Sequence, residues 1–135
     1  MTHFTPKEIE YLSTQKMGRL ATLSSDGAPN NLPVVYRYNP DLDTIDIGGL
    51  NISETKKFRN VRRDGRVSFV VDDVQPPWEV RGVEIRGLAQ TVAERSPYLP
   101  DNFDPHLIRI KPTQIISWGI DTHPYTANSR KIESP

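Results

Sequence analysis

Cysteine is absent from the 135 residues, which removes disulfides, thiolate metal sites and cysteine nucleophiles at once. The three histidines, His3, His106 and His123, lie far apart. With no helical pair and no thiol to complete a zinc site, no metal is expected. A G-x-S-x-G elbow, a Walker loop and a Rossmann glycine fingerprint are all missing, so serine-hydrolase, P-loop and dinucleotide-fold readings lack their residues. No stretch approaches the roughly 18 apolar residues of a membrane span. The segment Met1 to Glu8 has no apolar run of the signal-peptide kind. A cytoplasmic protein without a membrane partner is expected. An excess of one charge is lacking too, because seventeen basic residues balance seventeen acidic ones. Such a chain is no dedicated nucleic-acid binder unless its charge is segregated.

What is present is a lean globular composition, 36% apolar and 25% charged, on a length that suits one domain over residues 1–135. Twelve prolines and eight glycines interrupt the chain at short intervals, so the fold class expected is mainly β with short helices. Thr5-Pro6-Lys7-Glu8 has the pattern of a capping box with proline at the first helical position, and Ile9 and Leu12 give that helix an apolar face. Gly18 is read as closing this region. Arg19 to Ser24 and Pro29 to Tyr38 form a hairpin around Asp26-Gly27, and Thr44 to Ile47 alternates as a half-buried strand does. Ser53 is a candidate cap for a second helix, Thr55 to Arg63, anchored by Phe58 and Val61. Strands follow over Arg66 to Val71, Val80 to Val92 and Leu107 to Trp118. Gly82, Gly87 and Pro112 mark bends or bulges that suggest a barrel. Ser96 to Pro105 is a connection, and Thr122 to Pro135 an extended tail.

Charge is segregated after all. Glu54 to Arg66 holds six basic and two acidic residues, a net of +4, against eleven basic and fifteen acidic residues elsewhere. Lysines at a helix start stand beside free N–H groups and the positive end of the helix dipole, an arrangement that an anion relieves. Ser53, Thr55, Lys56 and Lys57 therefore form a candidate phosphate site. A solvated basic face is the alternative on charge alone. A nucleic-acid surface is disfavoured because no aromatics interleave the cluster.

Arg19-Leu20-Ala21-Thr22-Leu23, Asp26-Gly27-Ala28-Pro29-Asn30, Pro33-Val34, the run Thr55 to Val67 and Val83-Glu84-Ile85-Arg86-Gly87-Leu88-Ala89 come in a fixed order. In that order they resemble the FMN-binding split β-barrel proteins related to pyridoxamine 5′-phosphate oxidase, most closely the actinobacterial branch that uses coenzyme F420. The resemblance covers most of residues 5–120. It implies that Thr55 and Lys57 hold a cofactor phosphate and that Asn31, Leu32, Pro33 and Val34 lie along the flavin or deazaflavin ring. Gly48 and Gly49 would admit the ring or its ribityl chain to the backbone. The same likeness implies a homodimer with its site between subunits, where Trp78 and Trp118 are candidate walls or, alternatively, ordinary packing. The tail Asn128 to Pro135 lacks the Arg-Leu-x-Pro-like ending of the vitamin-phosphate oxidases, and Ser96 to Pro105 is shorter than the matching connection of many relatives.

The function expected is hydride transfer between the deazaflavin C5 and a small-molecule substrate. Lys56 and Arg59 would read the extra negative charges of F420, and no side chain is expected to act as acid or base. An FMN enzyme of the same fold, or a non-catalytic cofactor-binding protein, are the alternatives.

Overall fold

The computed structural model describes residues 2–133. Helix α1 (Pro6–Thr14) begins as its sequence predicts: the Thr5 hydroxyl accepts from the Glu8 N–H and the Glu8 carboxylate accepts from the Thr5 N–H. It ends at Gln15, short of Gly18, which already belongs to the first strand. Strand β1 (Met17–Leu23) turns through Gly27, at φ 83°, into β2 (Pro29–Asn39), and β3 (Thr44–Gly48) returns beside it. A 3-10 turn, Ile52–Glu54, leads to helix α2 (Lys56–Arg63). Then come β4 (Arg66–Gln75), β5 (Glu79–Val92), β6 (Leu107–Trp118) and β7 (Ala127–Lys131).

All pairings are antiparallel, in the order β3-β2-β1-β4-β5-β6-β7, and a further pairing of β3 with β6 closes the first six strands into a barrel. The irregularity anticipated at Gly87 and Pro112 is present. The β5–β6 register shifts between Arg86 and Gly87, with Gly87 opposite Pro112. The opposite edge of β6 pairs with β3 through Ile108 to Ile110, before that point, and with β7 through Gln114 to Trp118, after it. The barrel core includes Leu20, Tyr36, Ile47, Phe69, Ile85 and Ile115, each at most 2% exposed. Tyr11 and Leu12 of α1 and Phe58 and Val61 of α2 join it. Apolar burial of this kind contributes about 25 cal/mol per Å² removed from water.

Two expectations are corrected. Strand β3 is not half-buried but buried along its whole length, because its polar side faces a closed network rather than water. Asp46 in that network is fully buried and takes Arg109 Nε at 2.9 Å and Asn39 Nδ2 at 2.9 Å. Burial pushes its pKa up, but hydrogen bonds from Arg109, Asn39 and Ser96 outweigh that and hold it below the ordinary value. The tail, in turn, is a strand over Ala127–Lys131 within the described residues; Ser134 and Pro135 lie outside them. Its composition carries no apolar alternation, and it is held instead by ladder hydrogen bonds and by Arg130, which donates to buried Glu8 at 2.7 and 3.0 Å.

The approach to α2 is clasped from behind. Asp104 Oδ2 accepts from the Ser53 N–H at 3.0 Å and from its hydroxyl at 2.5 Å, while Oδ1 meets the His106 N–H and ring. The Asp104 N–H donates to the Gly49 carbonyl at 2.9 Å. Gly48 is tight: a Cβ there would stand 2.9 Å from Leu99 and Phe103, so the connection 96–106 packs on the bare backbone of β3.

Two outcomes follow from these contacts. Arg130→Met leaves the Glu8 carboxylate buried without its cation and should cost about 3 kcal/mol, read as a lower urea midpoint at unchanged slope; a change within about 0.5 kcal/mol would mark an ordinary surface pair. Asp104 feels burial, which raises its pKa, but the Ser53 and His106 bonds dominate and hold it far below the carboxylate range. Its stabilisation is therefore complete above the unfolded-state carboxylate value and is lost as pH falls. Asp104→Ala should cost about 2 kcal/mol at pH 7, and its gap from wild type should shrink from about pH 4 downward.

Candidate functional site

Helix α2 is strongly cationic, and its cations divide into two groups. Arg66, just beyond the helix, pairs with Asp64 at 2.7 Å, and Arg63 donates to the Leu23 carbonyl and, at 3.4 Å, to Asn60 Oδ1. Arg62 stacks over the Phe58 ring at 5.0 Å, and Arg59 donates to the Glu54 carbonyl at 3.1 Å. Each of these four arginines has a partner close by, and Arg63 ties the helix to β1. Lys56 and Lys57 have no such partner among the described residues, and both line clefts beside the barrel mouth.

Two adjoining clefts share Lys57. The first, about 300 Å³, is walled by Leu20 and Thr22 of β1, Asn30, Asn31 and Leu32 of β2, and the two lysines. The second, about 260 Å³, runs along Pro33, Val34 and Val35, passes Gly48 and Gly49 at the end of β3, and reaches Ile52, Thr55 and Lys57. Met17, Leu50 and Asn51 complete its rim. The β1–β2 hairpin places Asn31 opposite Ala21 and Leu32 opposite Leu20, which sets the strand along both clefts.

Lys57 is the electrostatic centre. Burial alone lowers its pKa from the ordinary lysine value, and no carboxylate of the described residues lies within ion-pair distance of it. As the first two residues of α2, Lys56 and Lys57 also present N–H groups that have no partner inside the helix. A partly desolvated ammonium and unpaired helix N–H groups together fit one phosphate.

The cap is Thr55 rather than Ser53. The Thr55 hydroxyl donates to the Ile52 carbonyl at 2.6 Å and accepts from the Phe58 N–H at 3.4 Å, so it orders the helix start. Ser53 is turned away, with its hydroxyl and N–H both on Asp104. The structure therefore brings together Asn31, Leu32, Pro33, Val34, Gly48, Gly49, Thr55, Lys56 and Lys57. Arg59 sits exposed on the outer side of α2. Trp78 is 66% exposed at the tip of the β4–β5 hairpin and lines neither cleft. Trp118 is half-buried over Gly82, where a Cβ would stand 2.4 Å from its ring.

Residues that the sequence did not single out support the cleft from below. Asn60, 2% exposed, donates to Thr22 Oγ1 at 3.0 Å and to Asn30 Oδ1 at 3.2 Å, joining α2 to both strands of the hairpin. Its one visible signal was a polar residue placed between the apolar anchors Phe58 and Val61. Met17, Leu50 and Asn51 gave none. Among the described residues no group of three or more His, Asp or Glu side chains could hold a metal ion, and no helix is long and apolar enough to cross a membrane.

A dehydrotetracycline/dehydrooxytetracycline reductase of Streptomyces rimosus is 44% identical over 124 residues, covering 87% of this chain and 84% of that protein. A conserved hypothetical protein of Mycobacterium tuberculosis superposes with a TM-score of 0.68 at 22% identity, over 87% of this chain and 86% of that one. An FAD-binding protein of Mycobacterium smegmatis does so with 0.65 at 20% identity, over 95% and 98%. These two structures share the fold. The profile of the pyridoxamine 5′-phosphate oxidase family matches residues 4–119, nearly the whole barrel, and the chain belongs to that family.

Proposed function

We propose that this chain is a reductase of carbon–carbon double bonds in a polycyclic, oxygen-rich substrate, with coenzyme F420 as hydride donor. The observation that carries the reading is Lys57, a partly buried cation without a counter-ion at the start of α2. The substrate class follows the name of the Streptomyces rimosus relative.

When bound, the deazaflavin supplies hydride at C5. The chain's own part is binding and orientation. Lys57 and the first N–H groups of α2 hold the phosphate, and Thr55 keeps that turn formed. Pro33, Val34 and Ile52 offer an apolar wall along which a flat ring can lie out of water. Gly49, where a Cβ would meet nothing nearer than 3.8 Å, leaves backbone room beside it. Lys56 and the exposed Arg59 suit further negative charges beyond the phosphate, which supports F420 over FMN. FMN is the second reading, supported because Lys57 and the helix N–H groups suffice for a single phosphate. Among the described residues no carboxyl, imidazole or phenol lines either cleft.

A homodimer is part of the proposal. Met17, Leu32 and Leu50, at 50%, 49% and 63% exposed, rim the clefts and would be covered by a second copy. Trp78 would reach a cofactor only from that copy.

Calorimetric titration with F420 and FMN tests the cofactor. Lys57→Ala should weaken binding by about 1.5–3 kcal/mol, roughly ten- to a hundred-fold, with little change in melting temperature. F420 affinity should fall more steeply with salt than FMN affinity, and equal slopes would favour FMN. Unchanged affinity in Lys57→Ala would end the phosphate-site reading. Sedimentation should give a dimer at micromolar concentration, and a stable monomer would remove the shared site.

A further inference from the structure

The largest cleft described lies outside the cofactor site. It opens between α1 and the far half of β2, has a volume of about 460 Å³, and is closed on one side by Tyr98 from the connection before β6. Ile9 and Leu12 of α1 and Pro40 give it aliphatic walls. Three tyrosines complete the lining, and all three hydroxyls are already committed. Tyr36 donates to the Leu12 carbonyl at 2.6 Å, Tyr38 to Asp43 at 2.7 Å and Tyr98 to Asp41 at 2.7 Å. Tyr36 is buried, so the ring surface left for an occupant is that of half-buried Tyr38 and Tyr98, with Ser13 and Gln15 beside it, and it suits flat bodies.

The charged residues of the lining itself are both basic. Lys16 and Arg37 line the cleft, and neither has a carboxylate partner among the described residues. The Arg37 guanidinium donates only to the neighbouring Tyr36 carbonyl, at 2.7 Å. Asp41 and Asp43 stand behind the lining, held by Tyr98 and by Tyr38, Thr2 and the His3 N–H, and neither forms an ion pair with Lys16 or Arg37. Aromatic walls with two unpaired cations at the edge are complementary to an aromatic body that carries an acidic group, because the ring buries apolar area and the anion meets charge at the wet margin.

We propose that this α1–β2 cleft is a binding site for a flat organic anion, separate from the phosphate site at Lys57. It adjoins the cofactor side of the barrel: Lys16 precedes Met17, and Arg37 stands two residues along β2 from Val35, both of which line the second cofactor cleft. The inference stands on this cleft alone and does not need the redox reading.

The test uses 8-anilinonaphthalene-1-sulfonate on the full chain, with uncharged N-phenyl-1-naphthylamine as its counterpart, both read by fluorescence. The sulfonate should bind with saturable stoichiometry of one per chain. The double variant Lys16→Ala/Arg37→Ala should weaken it about ten-fold and leave the neutral probe within two-fold. Both residues are exposed, so the fold should be retained. Ser13→Trp, on the exposed end of α1 at the cleft, should block both probes, while Lys57→Ala should change neither. Sulfonate affinity unchanged in the double variant, or lost in Lys57→Ala, would overturn the proposal. So would loss of the dimer in Ser13→Trp, which would make the cleft a subunit contact.

Discussion

The barrel closes through three residue pairs. Ile45, Asp46 and Ile47 of β3 lie opposite Ile110, Arg109 and Ile108 of β6, and every other part of the architecture hangs from that seam. Its two isoleucine pairs point into the core, while Asp46 and Arg109 meet across it on the other side. A buried carboxylate beside a guanidinium is not by itself a source of stability, since desolvation offsets much of the attraction. It does make wrong registers costly. A slip of one residue would put Asp46 into the core and leave the arginine without its acid, so the pair specifies alignment where only three residues are available to do so. Glu94 adds to the Arg109 side at 2.9 Å, and Asn39 and Thr44 add to the Asp46 side.

The site depends on this alignment because β3 runs directly into it. Gly48 and Gly49 end the strand at the second cleft, and the next few residues turn into α2. The connection 96–106 fixes the same stretch from the other side through Asp104, so the helix start is set between a strand end and a loop that are each tied to the barrel. Arg63 and Asn60 tie α2 to the β1–β2 hairpin, and the two lysines face the clefts. The segregated charge is thus a division of labour, in which guanidinium groups form directed contacts and ammonium groups act as mobile point charges.

Elements with a local physical cause were legible in the sequence. The capping box of α1, the Asp26-Gly27 hairpin, the limits of β6 and the bulge at Gly87 each follow from residues that constrain their own backbone. What escaped is tertiary in origin. Thr44 to Ile47 reads as a strand with a wet face, and only the arrival of Asn39, Arg109 and Ser96 from elsewhere makes that face dry. Strand β7 has no apolar period at all, and its pairing rests on an edge that β6 offers after leaving β3. Ser53 is as good a cap as Thr55 by composition, and Asp104, 51 residues away, decides between them. The residues singled out along β2, at the two glycines and at the helix start share the two clefts beside Lys57. Their rim residues Met17 and Leu50 carry no chemical signal, and Trp78 stands on a hairpin tip that sequence spacing cannot locate in space.

Because β6 is the strand that meets β3, β5 and β7, the order of synthesis matters. Until residues 107–118 have left the ribosome, β3 and β5 are open edges, and the nascent chain holds a curled sheet with unpaired N–H and C=O groups on both sides. Such edges recruit other strands, which makes the incomplete chain the species most exposed to aggregation. The seam that waits for those residues is also the one whose register the Asp46–Arg109 pair fixes. A truncation before Leu107 therefore threatens this protein more than an equal loss from α1 would, since it removes the closure rather than a cover.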